Sequence, residues 1–181
     1  MKFPLRKAVF TAMLIGILFA QEEVLMLIPN IQLTTLLLVV YGAVCGPYYG
    51  TIIVIAHAFL DNLFVGTMIP IVMIPMFIGW EIMMLLGYFS RKSPLWLICI
   101  LGAVGSLAYC WIFVLTNALF LDIDINAYII ADIPFEVIMS VCTVVTIMFM
   151  YRPIVKILSK YWDKKEKIKE TVEEKEEEPL S

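Results

Sequence analysis

The sequence predicts an all-α membrane protein, with six transmembrane helices in one bundle and both termini cytoplasmic. Three observations carry this expectation. The 181-residue chain is 62% hydrophobic and only 16% charged, whereas about a quarter of a soluble domain is charged. Its apolar runs are long enough to cross a bilayer, which takes about 20 residues each. Its basic residues avoid those runs. Lys2, Arg6 and Lys7 precede the first, Arg91 and Lys92 form one island, and Arg152, Lys156 and the later lysines follow the last. This composition excludes an ordinary water-soluble globule, a disordered protein and a disulfide scaffold.

The first span is expected over residues 8–28. Its basic start fits a signal peptide, but the apolar run continues to Ile28, so it is read as a span. A second span, 31–46, is short for a crossing and is expected to tilt or stop short. Gly46-Pro47-Tyr48-Tyr49-Gly50 then breaks the chain, as a donor-free proline between permissive glycines should. The expected result is a hairpin into a third span, 48–66. Spans four to six are expected at 69–89, 95–120 and 127–150. With six spans, Arg91 and Lys92 share the side of the termini, and the positive-inside rule makes that side cytoplasmic. The opposite side collects Glu22, Glu23, Asp61, Asp122 and Asp124. Residues 1–156 form the membrane unit. Residues 157–181 form a charged cytoplasmic tail, helical or disordered, rich in lysine and glutamate.

Several residues are candidates for function. In the first span Ala8, Ala12, Gly16 and Ala20 recur every four positions, on one helix face. Such a face either docks another membrane subunit or packs within this bundle. Ionisable groups inside a bilayer are costly and usually face a cavity or a partner. His57 lies near the middle of the third span and Glu81 near the middle of the fourth, beside Trp80. Glu136 follows Asp132 by one turn in the sixth. An aromatic ring beside a carboxylate suits a flat polar or cationic ligand. The bland alternatives are a protonated Glu81 bonded to a neighbouring helix and a neutral His57 satisfied in the bundle. Pro29–Thr35 reads as a rim over an outward pocket, with Gln32 on it and Glu22 and Glu23 below. Asp61 and Asn62, near the outer end of the third span, either cap the helix or line the pocket, with capping the preferred reading. Asn117, Asp122, Asp124 and Asn126 surround the last external loop, most of them as solvating groups.

Catalytic motifs are missing from the sequence. One histidine excludes a multi-histidine metal site, and no P-loop, G-x-S-x-G or H-E-x-x-H pattern occurs. Cys45, Cys99, Cys110 and Cys142 show no metal-ligand spacing and read as small apolar filling. No metal, no bound cofactor and no nucleic-acid partner is expected.

The chain resembles the substrate-binding (S) subunits of energy-coupling factor transporters, a vitamin-uptake family of ATP-binding cassette type. The likeness rests on size and six spans, on Ala8-Val9-Phe10-Thr11-Ala12 as the A-x-x-x-A docking motif, and on the Gly46-Pro47…Gly50 break before a helix ending in Asp61-Asn62. It rests also on Asp132-Ile133-Pro134-Phe135-Glu136 opening the sixth span, with Arg152-Pro153 at its far end. It covers residues 1 to about 156. The resemblance implies a high-affinity site for a vitamin or related micronutrient near the external face. Gln32, Trp80, Glu81, Asn126, Asp132 and Glu136 occupy the corresponding regions. It also implies docking through Ala8 and Ala12, extended to Gly16, onto a transmembrane coupling subunit that carries two ATPases. ATP is then used by those partners, and this chain is a multi-pass subunit of the cell membrane. The pocket residues match no single vitamin's pattern. Their acidity favours a neutral or amine-bearing ligand. Two readings from other classes stand beside this one: a membrane enzyme moving protons with Glu81, Glu136 and His57, and a ligand-free assembly subunit.

Overall fold

The computed structural model describes residues 5–25, 33–65, 68–120 and 125–163. Those residues are all helical apart from short connections. α1 spans Leu5–Leu25, α2 Thr34–Val65, α3 Pro70–Ser90, α4 Leu95–Phe120 and α5 Ile125–Trp162. All five helices are long and apolar enough to cross a membrane.

Five helices stand where six spans were expected, because the second and third spans are two arms of α2. Gly46 adopts φ 75° and ψ 176°, inside the otherwise helical run. A side chain at a positive φ of this kind is strained, so glycine is the residue that fits. Pro47 then opens the second arm at the position where its missing N–H costs nothing. No loop intervenes, which is why the element is continuous. Yet the chain doubles back there. Thr34 Oγ1 and His57 Nε2 lie 3.3 Å and 2.8 Å from the same oxygen, Glu22 Oε2. On a straight helix residues 34 and 57 would stand roughly 35 Å apart.

The first arm of α2 is the centre of the bundle. Leu36, Leu38, Val39, Val40 and Tyr41 are all buried, and a helix apolar all round belongs in an interior. Against α3 it packs backbone to backbone. A Cβ at Gly42 would collide with the Met84 carbonyl, and one at Gly87 with the Val39 carbonyl. Small residues permit that approach, which is the main source of helix association in lipid. Threonine and serine pairs add polar ties between helices: Thr35 with Thr143 at 3.0 Å and Ser106 with Ser140 at 3.3 Å.

α1 buries a narrow stripe of Thr11, Leu14 and Leu18. Its other faces carry exposed Val9, Met13, Ile17 and Val24. Exposed apolar residues cover the outside of α4 and α5 as well, including Trp96, Leu119, Phe135 and Phe149. So much apolar surface is an interaction surface, and lipid is the partner that fits helices of this length.

α5 runs on to Trp162, well past the expected end of the sixth span near residue 150. Its last turns reach back to the first turn of α1. Arg6 donates to the Tyr161 carbonyl. Lys7 Nζ sits 5.0 Å from the Trp162 ring centre and 5.6 Å from that of Tyr49. Phe10 and Tyr49 both pack on Trp162, at 5.8 Å and 4.9 Å. The Gly46 turn, the start of α1 and the end of α5 therefore gather at one end of the bundle, hereafter the basic end. Residues 164–181, which hold most of the charged tail, lie outside the described residues.

Candidate functional site

The opposite end holds a buried polar cluster drawn from four helices. On α1, Gln21 and Glu22 face the start of α2. Gln21 donates to Thr34 Oγ1 at 2.7 Å and accepts from the Leu33 amide at 3.0 Å. Thr34 in turn donates to Glu22 at 3.3 Å. These bonds hold the last turn of α1 against α2 and aim Glu22 inward.

His57, on the second arm of α2, meets Glu22 there. Its Nε2 is 2.8 Å from Glu22 Oε2, and the imidazole is fully buried while the glutamate side chain keeps 20% of its exposure. The approach is close, but Nε2 makes no aligned hydrogen bond to an acceptor among the described residues. Nδ1 is buried too and has no hydrogen-bond partner among the described residues. Asp61 follows His57 by one turn on the same face. It is buried, and it lies close enough to Glu22, Glu23 and His57 to feel all three electrostatically.

Aromatic rings floor the cluster. Trp80 of α3 stacks on His57 with ring centres 4.4 Å apart and planes 27° apart. Tyr109 of α4 lies nearly parallel to Trp80, at 7° and 6.4 Å. It packs over Gly79, where any Cβ would strike the tyrosine ring. Asn62 closes the side, donating to the Ala58 carbonyl at 2.8 Å and lying 3.4 Å from Met76 Sδ.

The expected site residues are thus divided. Glu22, His57 and Trp80 come together, and Glu23 reaches the cluster only through its charge near Asp61. Glu81 does not join them, although it is next to Trp80 in the chain. Adjacent helical residues point about 100° apart, and Glu81 turns to Thr51, which donates to it at 2.6 Å. Thr51 lies one turn and a half from Gly46, nearer the basic end. The second oxygen of Glu81 is buried and has no hydrogen-bond partner among the described residues.

Asp132 and Glu136 gather elsewhere, between α4 and α5. With Cys110 they place three donor atoms within 4.8 Å of one another, all half-buried. Trp111 hydrogen-bonds to Glu136. Asn126 is exposed in the first turn of α5. Gln32 lies outside the described residues, as do most of the rim segment, Asp122 and Asp124.

Asp61 was expected to cap a helix, but α2 continues past it to Val65 and buries it. Its spacing of four from His57 is a signal in the sequence that could have placed it in the cluster. Tyr109, Thr34 and Gln21 carried no such signal, because their partners are distant in sequence.

On α1 the row of small residues faces outward. Ala12, Gly16 and Ala20 are exposed and Ala8 is half-buried. A Cβ on Gly16 would meet nothing within 4 Å. Packing within this bundle therefore does not explain the stripe beyond Ala8. No protein-family model, curated protein or solved structure matches the chain.

Proposed function

We propose that the chain is the membrane-embedded substrate-binding subunit of an energy-coupling factor type importer for a micronutrient. In this reading the two arms of α2 cross separately, giving six crossings with both termini and the basic end cytoplasmic. The acidic end faces outward and holds the ligand. ATP is hydrolysed by partner subunits, and this chain catalyses no reaction.

One observation supports the reading above the others: α1 carries both required features on different faces. Its small residues are open toward a partner, while its Glu22 reaches into the buried cluster with His57. A helix that bears both a partner face and a ligand contact can transmit occupancy to docking. Small residues along a full open face suit close approach of another helix.

The test separates the two faces. The purified chain is analysed by mass spectrometry for a retained small molecule, and uptake of that molecule is followed in cells. Ala12→Trp with Gly16→Trp should keep the molecule bound and abolish uptake. Trp80→Ala should lose the molecule and uptake together. Equal loss of binding in both variants, or no retained molecule in any preparation, overturns the proposal.

A further inference from the structure

Polar contacts join α4 to α5 in one antiparallel register. Ser106 meets Ser140 at 3.3 Å, and Asn117 donates to Tyr128 Oη at 3.0 Å. Cys110, Asp132 and Glu136 fill the interval between these pairs. Cys110 follows Ser106 by one turn on α4, and Glu136 precedes Ser140 by one turn on α5. The register therefore sets Cys110 and Glu136 opposite each other, with Asp132 one turn further along α5. The Cys110 sulfur and an oxygen of each carboxyl group lie within 4.8 Å of one another, all three residues half-buried. Trp111, next to Cys110, hydrogen-bonds to Glu136 from outside the trio. A metal-ligating carboxylate is typically held by such an outer contact.

Depth adds a separate argument. Counted from the helix ends at Phe120 and Ile125, the three groups lie roughly 10–17 Å inside the helices. Ionisable side chains at that depth need a partner and mark function. The spans supply no basic one. No lysine or arginine stands between Lys92 and Arg152, and the one histidine, His57, stacks on Trp80 of another helix pair.

We propose that Cys110, Asp132 and Glu136 bind a borderline divalent metal ion of the zinc class, which bridges α4 and α5. One sulfur with two oxygens selects this class: Mg²⁺ and Ca²⁺ take oxygen ligands, and Cu⁺ takes a soft set. Donors around a tetrahedral zinc stand about 3.5 Å apart, so the trio has to close by at most about 1 Å, within the reach of side-chain rotation. Cys110 coordinates as the thiolate, and its proton passes to water. Three protein ligands leave the fourth position for water or a further donor. The expectation of no metal rested on histidine number and cysteine spacing, and a donor set shared by two helices leaves neither pattern in the sequence. The site stands apart from the His57 cluster and needs only the membrane bundle, so it holds whether or not the carrier reading does.

The experiment uses the full chain in detergent, reduced and stripped of metal with a chelator, then titrated with Co²⁺ as a coloured substitute for zinc. One Co²⁺ per chain should bind and give a near-ultraviolet thiolate-to-cobalt charge-transfer band. Zn²⁺ should displace it, and Mg²⁺ or Ca²⁺ in large excess should not. Zn²⁺ should also raise the thermal midpoint, because it binds the folded bundle. Cys110→Ser should abolish the band, and Asp132→Asn with Glu136→Gln should weaken Co²⁺ binding at least tenfold. Helix content by circular dichroism without metal should match the parent in each variant, which separates lost ligation from lost folding. Cys99→Ser, outside the trio, should keep the band. The inference is overturned if no band forms, if the band survives Cys110→Ser or is lost equally in Cys99→Ser, or if Mg²⁺ or Ca²⁺ displaces Co²⁺ as well as Zn²⁺ does.

Discussion

The two ends of the bundle handle charge in opposite ways. At the basic end, Arg6 and Lys7 lie on a backbone carbonyl and on the faces of Tyr49 and Trp162, and Arg91 lies 4.2 Å from the centre of the Tyr88 ring. Placed at a helix end, such cations can reach water while their stems rest on apolar surface, an inexpensive arrangement. At the acidic end, Glu22, His57 and Asp61 sit inside the helices with too few partners among themselves. Such an arrangement is costly and must be stabilised by the rest of the bundle. Charge at a helix end is explained by the membrane boundary. Charge in the interior calls for a ligand, a proton or a role in mechanism.

That contrast can be broken at its most expensive point. Replacing His57 by leucine removes the group that lies 2.8 Å from Glu22. Breaking a buried pair this way costs about 3–5 kcal/mol. Thermal unfolding in detergent should show the loss, and an unchanged midpoint would place His57 with the inert residues of the core. A smaller effect should come from the coupling between the pair. Glu22→Gln and His57→Gln, alone and together, should give an interaction energy of about 1–3 kcal/mol in a double-mutant cycle. Strict additivity would mean that the 2.8 Å approach carries no energy. The smallest effect belongs to the other end. Lys7→Ala should cost no more than about 1 kcal/mol, the range of an exposed cation–π contact. A loss at Lys7 matching that at His57 would erase the distinction between the ends.

Much of the architecture was legible along the chain. The apolar runs and the break at Gly46 depend on local chemistry and lie close to where they were expected, except that the second and third spans share one element and α5 runs on to Trp162. The hairpin expected at that break is tighter than a loop, since Gly46 turns the chain and Pro47 restarts the helix at once. The membership of the buried cluster was harder to read. Trp80 and Glu81 looked like one feature because they are neighbours in sequence, yet the helix sends one to His57 and the other to Thr51. Asp61 looked like a cap because it stands near a helix end, yet four more residues of helix follow it. Glu136 and Asp132 share a turn, but their partner is Cys110 of α4 and not the histidine.

The small-residue row on α1 shows the same limit from another side. Its period is visible in the letters, but whether it faces kin or stranger depends on how α1 is rotated against α2. That rotation is set by Thr11, Leu14 and Leu18 seeking the interior and by Glu22 reaching His57.

Hydropathy and charge placement suffice to specify an apolar helical protein with segregated charge, because transfer from water to lipid is decided residue by residue. Which carboxylate meets the histidine, and which face of α1 stays open, follow from packing. Those outcomes depend on helix rotation and on contacts between residues far apart in the chain, which no local pattern encodes.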